Sequence, residues 1–101
     1  FRYDESTPYR MRRAAKTDNN QKSIVEGLRA LGATVQPLHV LGQGCPDILV
    51  GYQGKNYLME IKTKRGKLTP DEENWHWEWR GTVHVVKTFD EATDVLLGVV
   101  G

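Results

Sequence analysis

Cysteine is almost missing: Cys45 is the sole one in 101 residues. An intrachain disulfide is excluded, and the composition fits a reducing compartment. Zinc-like ligand spacing is missing too, because His39, His76 and His84 are scattered. No apolar run approaches the roughly 20 residues of a membrane span. The first residues, which open on Phe1 rather than Met, carry no signal-peptide pattern. Neither repeats nor low-complexity segments occur. A dominant charge is lacking as well. Lys and Arg number 14 against 13 Asp and Glu, a net charge of +1, too small to argue for an anionic partner by itself.

The residues that are present fit one domain with one modest core, at 39% hydrophobic and 27% charged. Charge is unevenly placed. Lys62, Lys64, Arg65 and Lys67 fall in one short stretch without an acid, and Arg2, Arg10, Arg12, Arg13 and Lys16 face only Asp4 and Glu5 in residues 1–17. That first stretch lacks apolar periodicity and reads as an arm preceding a domain over residues 18–101. A solvated tail, a nucleic-acid contact and a dimer contact all stay open for it.

Thr17 or Asp18 can cap a helix whose apolar face is Ile24, Val25, Leu28 and Leu31, with Gly32 ending it. Thr34 to Val40 reads as a strand, and Pro37 suggests an edge or bend. Thr69-Pro70-Asp71-Glu72 is a helix start with a capping box, and that helix should run to about Arg80 before Gly81. Trp75 and Trp79, at i and i+4, should pack on the sheet with Leu68. Trp77 faces elsewhere, as a partly buried side chain, a stacking platform for a base, or a dimer contact. Thr82 to Val86 is a fourth strand, where His84 reads as structural. Thr88-Phe89-Asp90-Glu91 opens a last helix carrying Ala92, Val95 and Leu96. The tail Leu96-Leu97-Gly98-Val99-Val100 can pack on its own sheet or against a second copy.

Between these lies the stretch that carries chemistry. Asp47 to Tyr52 and Tyr57 to Lys62 read as two apolar strands joined by a tight Gln53-Gly54-Lys55-Asn56 turn. Glu60 and Lys62 are at i and i+2, hence on one face. In a hairpin, Asp47 falls opposite or diagonal to them. Charges in such a strand are costly unless partnered or bound to a metal. Two readings are open from patterning alone. One is a partly buried salt bridge from Lys62 to Glu60 or Asp47. The other is a divalent-ion site, since two carboxylates hold Mg²⁺ or Mn²⁺ and a nearby ammonium offsets charge on a phosphate. Cys45 beside Asp47 reads as a small side chain packed in a turn rather than a nucleophile.

Pro46-Asp47 followed by Glu60-Ile61-Lys62 resembles the PD-(D/E)XK nuclease signature. The flanking Gly42-Gln43-Gly44-Cys45 and Leu68-Thr69-Pro70-Asp71-Glu72-Glu73-Asn74-Trp75-His76 narrow the resemblance, over roughly Asp18 to Leu97, to small stand-alone VRR-NUC (virus-type replication-repair nuclease) domains of phages and bacteria. The resemblance implies an α/β fold with a restriction-endonuclease-like αβββαβ core: a small mixed sheet flanked by helices, plus a C-terminal helix. It implies Asp47, Glu60 and the Ile61 carbonyl as ligands of Mg²⁺ or Mn²⁺, with Lys62 orienting or activating water. Relatives commonly have a glutamine near Glu72 or Glu73 that reaches towards that water. Glu73 takes this place here, because capping already accounts for Glu72. Relatives also present a polar or acidic side chain from their first helix. Here Asn20 and Gln21 open that helix, so any role at the metal would be indirect through an amide, and capping or a solvated position is the favoured expectation. Lys64, Arg65 and Lys67, with Arg12 and Arg13, become candidate DNA contacts. The implied protein is a cytoplasmic homodimer, in a bacterium or phage-infected host, that cuts branched DNA such as Holliday junctions. A non-catalytic nucleic-acid-binding or dimerisation module and a nickase or flap nuclease are the alternatives.

Overall fold

Gln53 and Gly54 have φ of 50° and 81°. Two successive positive φ angles give the twist that a two-residue hairpin loop requires. The computed structural model, which describes residues 20–99, accordingly joins β2 (Ile48–Tyr52) directly to β3 (Lys55–Ile61). The expected turn residues Lys55 and Asn56 are already strand, with Lys55 paired to Tyr52.

The elements run α1 (20–30), β1 (Thr34–Pro37), β2, β3, α2 (Pro70–Glu78), β4 (Val83–Val86) and α3 (Phe89–Leu97). The sheet order is β1-β2-β3-β4, with β3–β4 parallel and the other pairs antiparallel. A parallel pair needs a crossover connection, and α2 supplies it. This is the expected α/β architecture of a mixed sheet flanked by helices.

Side-chain alternation divides the sheet into two faces. On one face, Ile48, Val50, Met59, Ile61 and Val86 form a buried cluster with Ile24, Val25 and Leu28 of α1 and Ala92 and Leu96 of α3. Ile48, Met59 and Leu28 are fully enclosed, so truncating any of them to Ala costs about 2–5 kcal/mol. Residues Leu49, Leu58 and Glu60 alternate to the other face, beneath α2.

Several sequence expectations are corrected. The first strand stops at Pro37, not Val40: its pairing with β2 runs out at Pro37↔Ile48, and His39–Leu41 forms a 3-10 turn instead. Helix α2 ends at Glu78, two residues before Arg80. Leu31 lies past the last turn of α1 and is exposed. Leu97 and Val99 are also exposed. The two capping motifs form as read: Thr69 Oγ1 accepts from the Glu72 N–H, and Thr88 Oγ1 from the Glu91 N–H. Among the described residues no helix is long and apolar enough to cross a membrane. Arg12, Arg13, the cap positions Thr17 and Asp18, and Val100 lie outside the described residues.

Candidate active site

β2 and β3 pair with Ile48 against Met59. One step beyond, Asp47 falls opposite Glu60. The chain reaches this point through a close approach. Gly44 has φ 84°, and a Cβ there would collide with the Asp71 carbonyl and lie 3.0 Å from the Glu72 nitrogen. Glycine thus lets the β1–β2 loop rest on the first turn of α2. Pro46 is fully buried, and the Leu38 N–H donates to the Asp47 carbonyl at 2.8 Å.

Asp47 extends the ladder by side chain: Oδ2 accepts from the Ile61 N–H at 2.7 Å. The Lys62 N–H donates to the Val86 carbonyl at 3.0 Å. In a planar trans peptide the Ile61 carbonyl points opposite to that N–H, away from β4 and towards the side of β3 where Asp47 lies.

Glu60 is 1% exposed. Its carboxyl is pushed up to about 9, first by burial, then by its hydrogen bond and charge interaction with Asp47 and by Glu72, against a lowering by Lys62. Two carboxyl groups held this close do not both ionise without a cation. Glu60 Oε1 is buried with no hydrogen-bond partner, and so is His76 Nε2, 3.6 Å away. Lys62 Nζ lies 3.9 Å from Glu60 Oε2, beyond hydrogen-bond reach.

Lys62 pairs with α2 instead, at 2.7 Å from Glu72 Oε1. Burial works against its charge, but the Glu72 hydrogen bond and the surrounding carboxylates outweigh it and raise its pKa. Glu72 is itself lowered: burial opposes its charge, and the hydrogen bonds from Lys62 and the Thr69 N–H prevail.

The structure therefore brings Asp47, Glu60 and Lys62 together, with the Ile61 backbone at the same strand end. It places Glu72, not Glu73, at Lys62, while Glu73 faces solvent. Successive helical residues are about 100° apart, so Glu72 occupies the inward face and Glu73 the outward one. His76, one turn on from Glu72, escaped the sequence reading. Its signal was the i, i+4 spacing from Glu72. Asn20 neither caps nor faces solvent. Its amide donates to the Lys62 carbonyl at 3.0 Å and to the Lys87 carbonyl at 3.4 Å, tying α1 to the ends of β3 and β4. Lys64, Arg65 and Lys67 are exposed on the following loop, which Lys87 Nζ anchors by donating to the Lys64 carbonyl at 3.0 Å. His84 is half-buried beside Tyr57 on the core side, and burial lowers its pKa. Trp77 is 86% exposed.

The donor set suits a hard divalent cation. Among the described residues no three His, Cys, Asp or Glu side chains are grouped to hold a metal, so the available oxygens are two carboxylates and one oriented carbonyl. Such a set favours Mg²⁺ or Mn²⁺ over zinc. The orphaned Glu60 Oε1 and the proton forced on Glu60 are what an added positive charge would relieve.

No model of a known protein family matches the chain, and neither does any curated protein. A solved structure titled "VRR_NUC domain" does. It is 29% identical, with a TM-score of 0.64, over 79% of this chain and 92% of that one. The resemblance read from the sequence motifs and the likeness of the folded chain thus lead to the same family.

Proposed function

We propose that the chain is a divalent-metal-dependent, structure-specific DNA endonuclease. The observation that carries this reading is the buried Glu60 facing Asp47 across a strand pair, with one carboxylate oxygen unsatisfied and Lys62 at its rim. A structural salt bridge accounts for this less well, because the ammonium is spent on Glu72 rather than on Glu60.

Asp47, Glu60 and the Ile61 carbonyl would hold Mg²⁺ or Mn²⁺, which when bound supplies Lewis acidity and lowers the pKa of water. The protein's own residues do the rest. Asp47 and the Lys62–Val86 backbone bond hold the strand end rigid, so the ligands are preorganised. Glu72 fixes the Lys62 ammonium beside the reacting phosphate, where it orients water and offsets developing negative charge. Lys64, Arg65 and Lys67 bind flanking phosphates, and the loop anchor at Lys87 keeps them in register with the cluster.

Branched DNA, such as a four-way junction, and a homodimer complete the proposal. A small domain cannot surround a junction alone, whereas a two-fold pair can make two symmetric nicks. Asp47→Asn is the decisive variant, because the amide oxygen can still accept from Ile61 N–H while the charge is gone. It should fold normally and lose cleavage of linear, flapped and four-way DNA in Mg²⁺ or Mn²⁺. Undiminished cleavage by this variant would remove the assignment. A strict monomer in sedimentation that cuts linear duplex as fast as a junction would leave a general nuclease.

A further inference from the structure

Next to the carboxylate cluster, on the α2 side of the sheet, a groove of about 700 Å³ opens. The cross-strand pair Leu49 and Leu58 belongs to its lining, and so do Trp75 of α2 and Trp79, the residue that caps its end. We propose that this groove receives one unpaired nucleobase of the substrate strand, beside the phosphate on which Asp47, Glu60 and Lys62 act. The proposal deepens the nuclease reading and rests on it.

Three observations support a base as the occupant. The groove lies beside the cluster: Leu58, which lines it, is two residues before Glu60 on the same face of β3. Cys45, two residues before Asp47 in the chain, lines it too. Trp75 lines it as well, and the next residue, His76, reaches to 3.6 Å from Glu60. A nucleotide whose phosphate sits at the cluster therefore has its base within reach of the groove.

Ring geometry is the second observation. Trp75 and Trp79 are stacked at 4.6 Å and 18°. Trp79 is nevertheless 46% exposed, a large apolar surface left in water. A base would extend this stack, and base–aromatic stacking contributes about 1–3 kcal/mol whatever the base.

The third is polarity. The apolar walls are interrupted by Gln43, Asn56 and Thr82, side chains with both donors and acceptors that suit the edge of a heterocycle. A base stacked within a duplex cannot enter. Unpaired nucleotides at branches, flaps and ends enter at least cost, since extruding a paired base takes a few kcal/mol. The groove thus offers a physical source of preference for branched over linear DNA.

The test uses the full chain in Ca²⁺ buffer and DNA carrying 2-aminopurine, either as an unpaired nucleotide at a flap or within a fully paired duplex. The parent should quench the unpaired probe. Trp79→Ala should lose that quenching and bind flapped DNA about 5- to 150-fold more weakly, with little change on paired duplex. Trp79→Phe should retain most of both. Leu41→Asp, at an exposed position of the same groove, gives a second variant outside the core and should show the same selective loss. Equal weakening on paired and unpaired DNA, or quenching unaffected by these changes, overturns the proposal. So does a parent dimer that dissociates in both variants, since the groove would then be an interface between copies. Cleavage in Mg²⁺ is scored separately. If the parent cuts while the variants keep its flap-over-duplex preference, the base site alone fails. A parent that binds the probe but cuts nothing with any divalent ion overturns the nuclease reading, and with it the placement beside a scissile phosphate.

Discussion

Lys62 Nζ lies 2.7 Å from Glu72 Oε1, and the same oxygen accepts from the Thr69 N–H at 2.9 Å. One atom thus closes the capping box of α2 and holds the ammonium of the strand motif. The start of the helix and the geometry of the candidate active site are therefore coupled, and a change at either is felt at the other.

Glu72→Gln keeps an acceptor for both donors and should retain most single-turnover cleavage. Glu72→Ala removes both hydrogen bonds. It should cost about 1 kcal/mol of stability and lower cleavage roughly tenfold or more, the scale of one lost charge-assisted hydrogen bond. Glu73→Ala, at an exposed position, should stay within about 0.5 kcal/mol of the parent and cut normally. Thermal melting and single-turnover rates on the three variants decide between the two glutamates. A loss confined to Glu73→Ala would restore the residue that the sequence pointed to.

The metal-free protein should lose stability as pH rises. Glu60 is raised from 4.5 to about 9 in the fold, so the folded state holds a proton that the unfolded chain has released. That contribution is fully present below pH 4.5 and is lost progressively as pH rises through about 9. Melting temperature in chelator should fall between pH 6 and pH 8.5, and Mg²⁺ or Mn²⁺ should restore it. Glu60→Gln should flatten the slope and abolish the metal effect. An equal slope in the parent and Glu60→Gln would place the titrating group elsewhere.

Removing Lys64 or Arg65 should weaken DNA binding across sequences and reduce the salt dependence by about one unit of log–log slope each. Both are exposed on a loop that Lys87 anchors by its backbone at Lys64, so truncating them leaves the fold unchanged. A double variant with the parent's slope in fluorescence anisotropy would make the loop a solvated surface.

The parts of this fold that were readable in the sequence are those set by local periodicity. Glu60 and Lys62 share a face because a strand alternates, and Thr69 and Thr88 cap because short-range hydrogen bonds decide helix starts. Partners far apart in sequence were less accessible. Asn20 meets the Lys62 and Lys87 carbonyls only once α1 packs across the sheet. Glu72 was set aside because capping explained it, yet a carboxylate oxygen has two lone pairs and serves two donors. His76 looked scattered in the chain and becomes part of the cluster because α2 lies across Glu60. The end of β1 was misplaced because Leu38 to Leu41 is apolar enough for a strand, while after the Leu38 N–H bond to the Asp47 carbonyl the chain turns into a 3-10 helix and leaves β2.

Lys62 separates an enzyme from a module that only binds. If its role is to neutralise the carboxylates, Lys62→Ala leaves surplus negative charge, destabilises the sheet end and tightens metal binding. If it orients water and stabilises the transition state, turnover should fall roughly 10²–10³-fold, the scale of one lost electrostatic donor. DNA affinity should change far less, because one phosphate contact among several is a modest share of binding. The 2.7 Å bond to Glu72 favours the second outcome, since it fixes the ammonium beside Glu60 without spending it there. Junction binding in Ca²⁺ and single-turnover cleavage in Mg²⁺ should therefore part company, with near-parent binding and collapsed cleavage. Equal small losses in both would make Lys62 structural. Binding by the parent without cleavage in any divalent ion would favour the non-catalytic module.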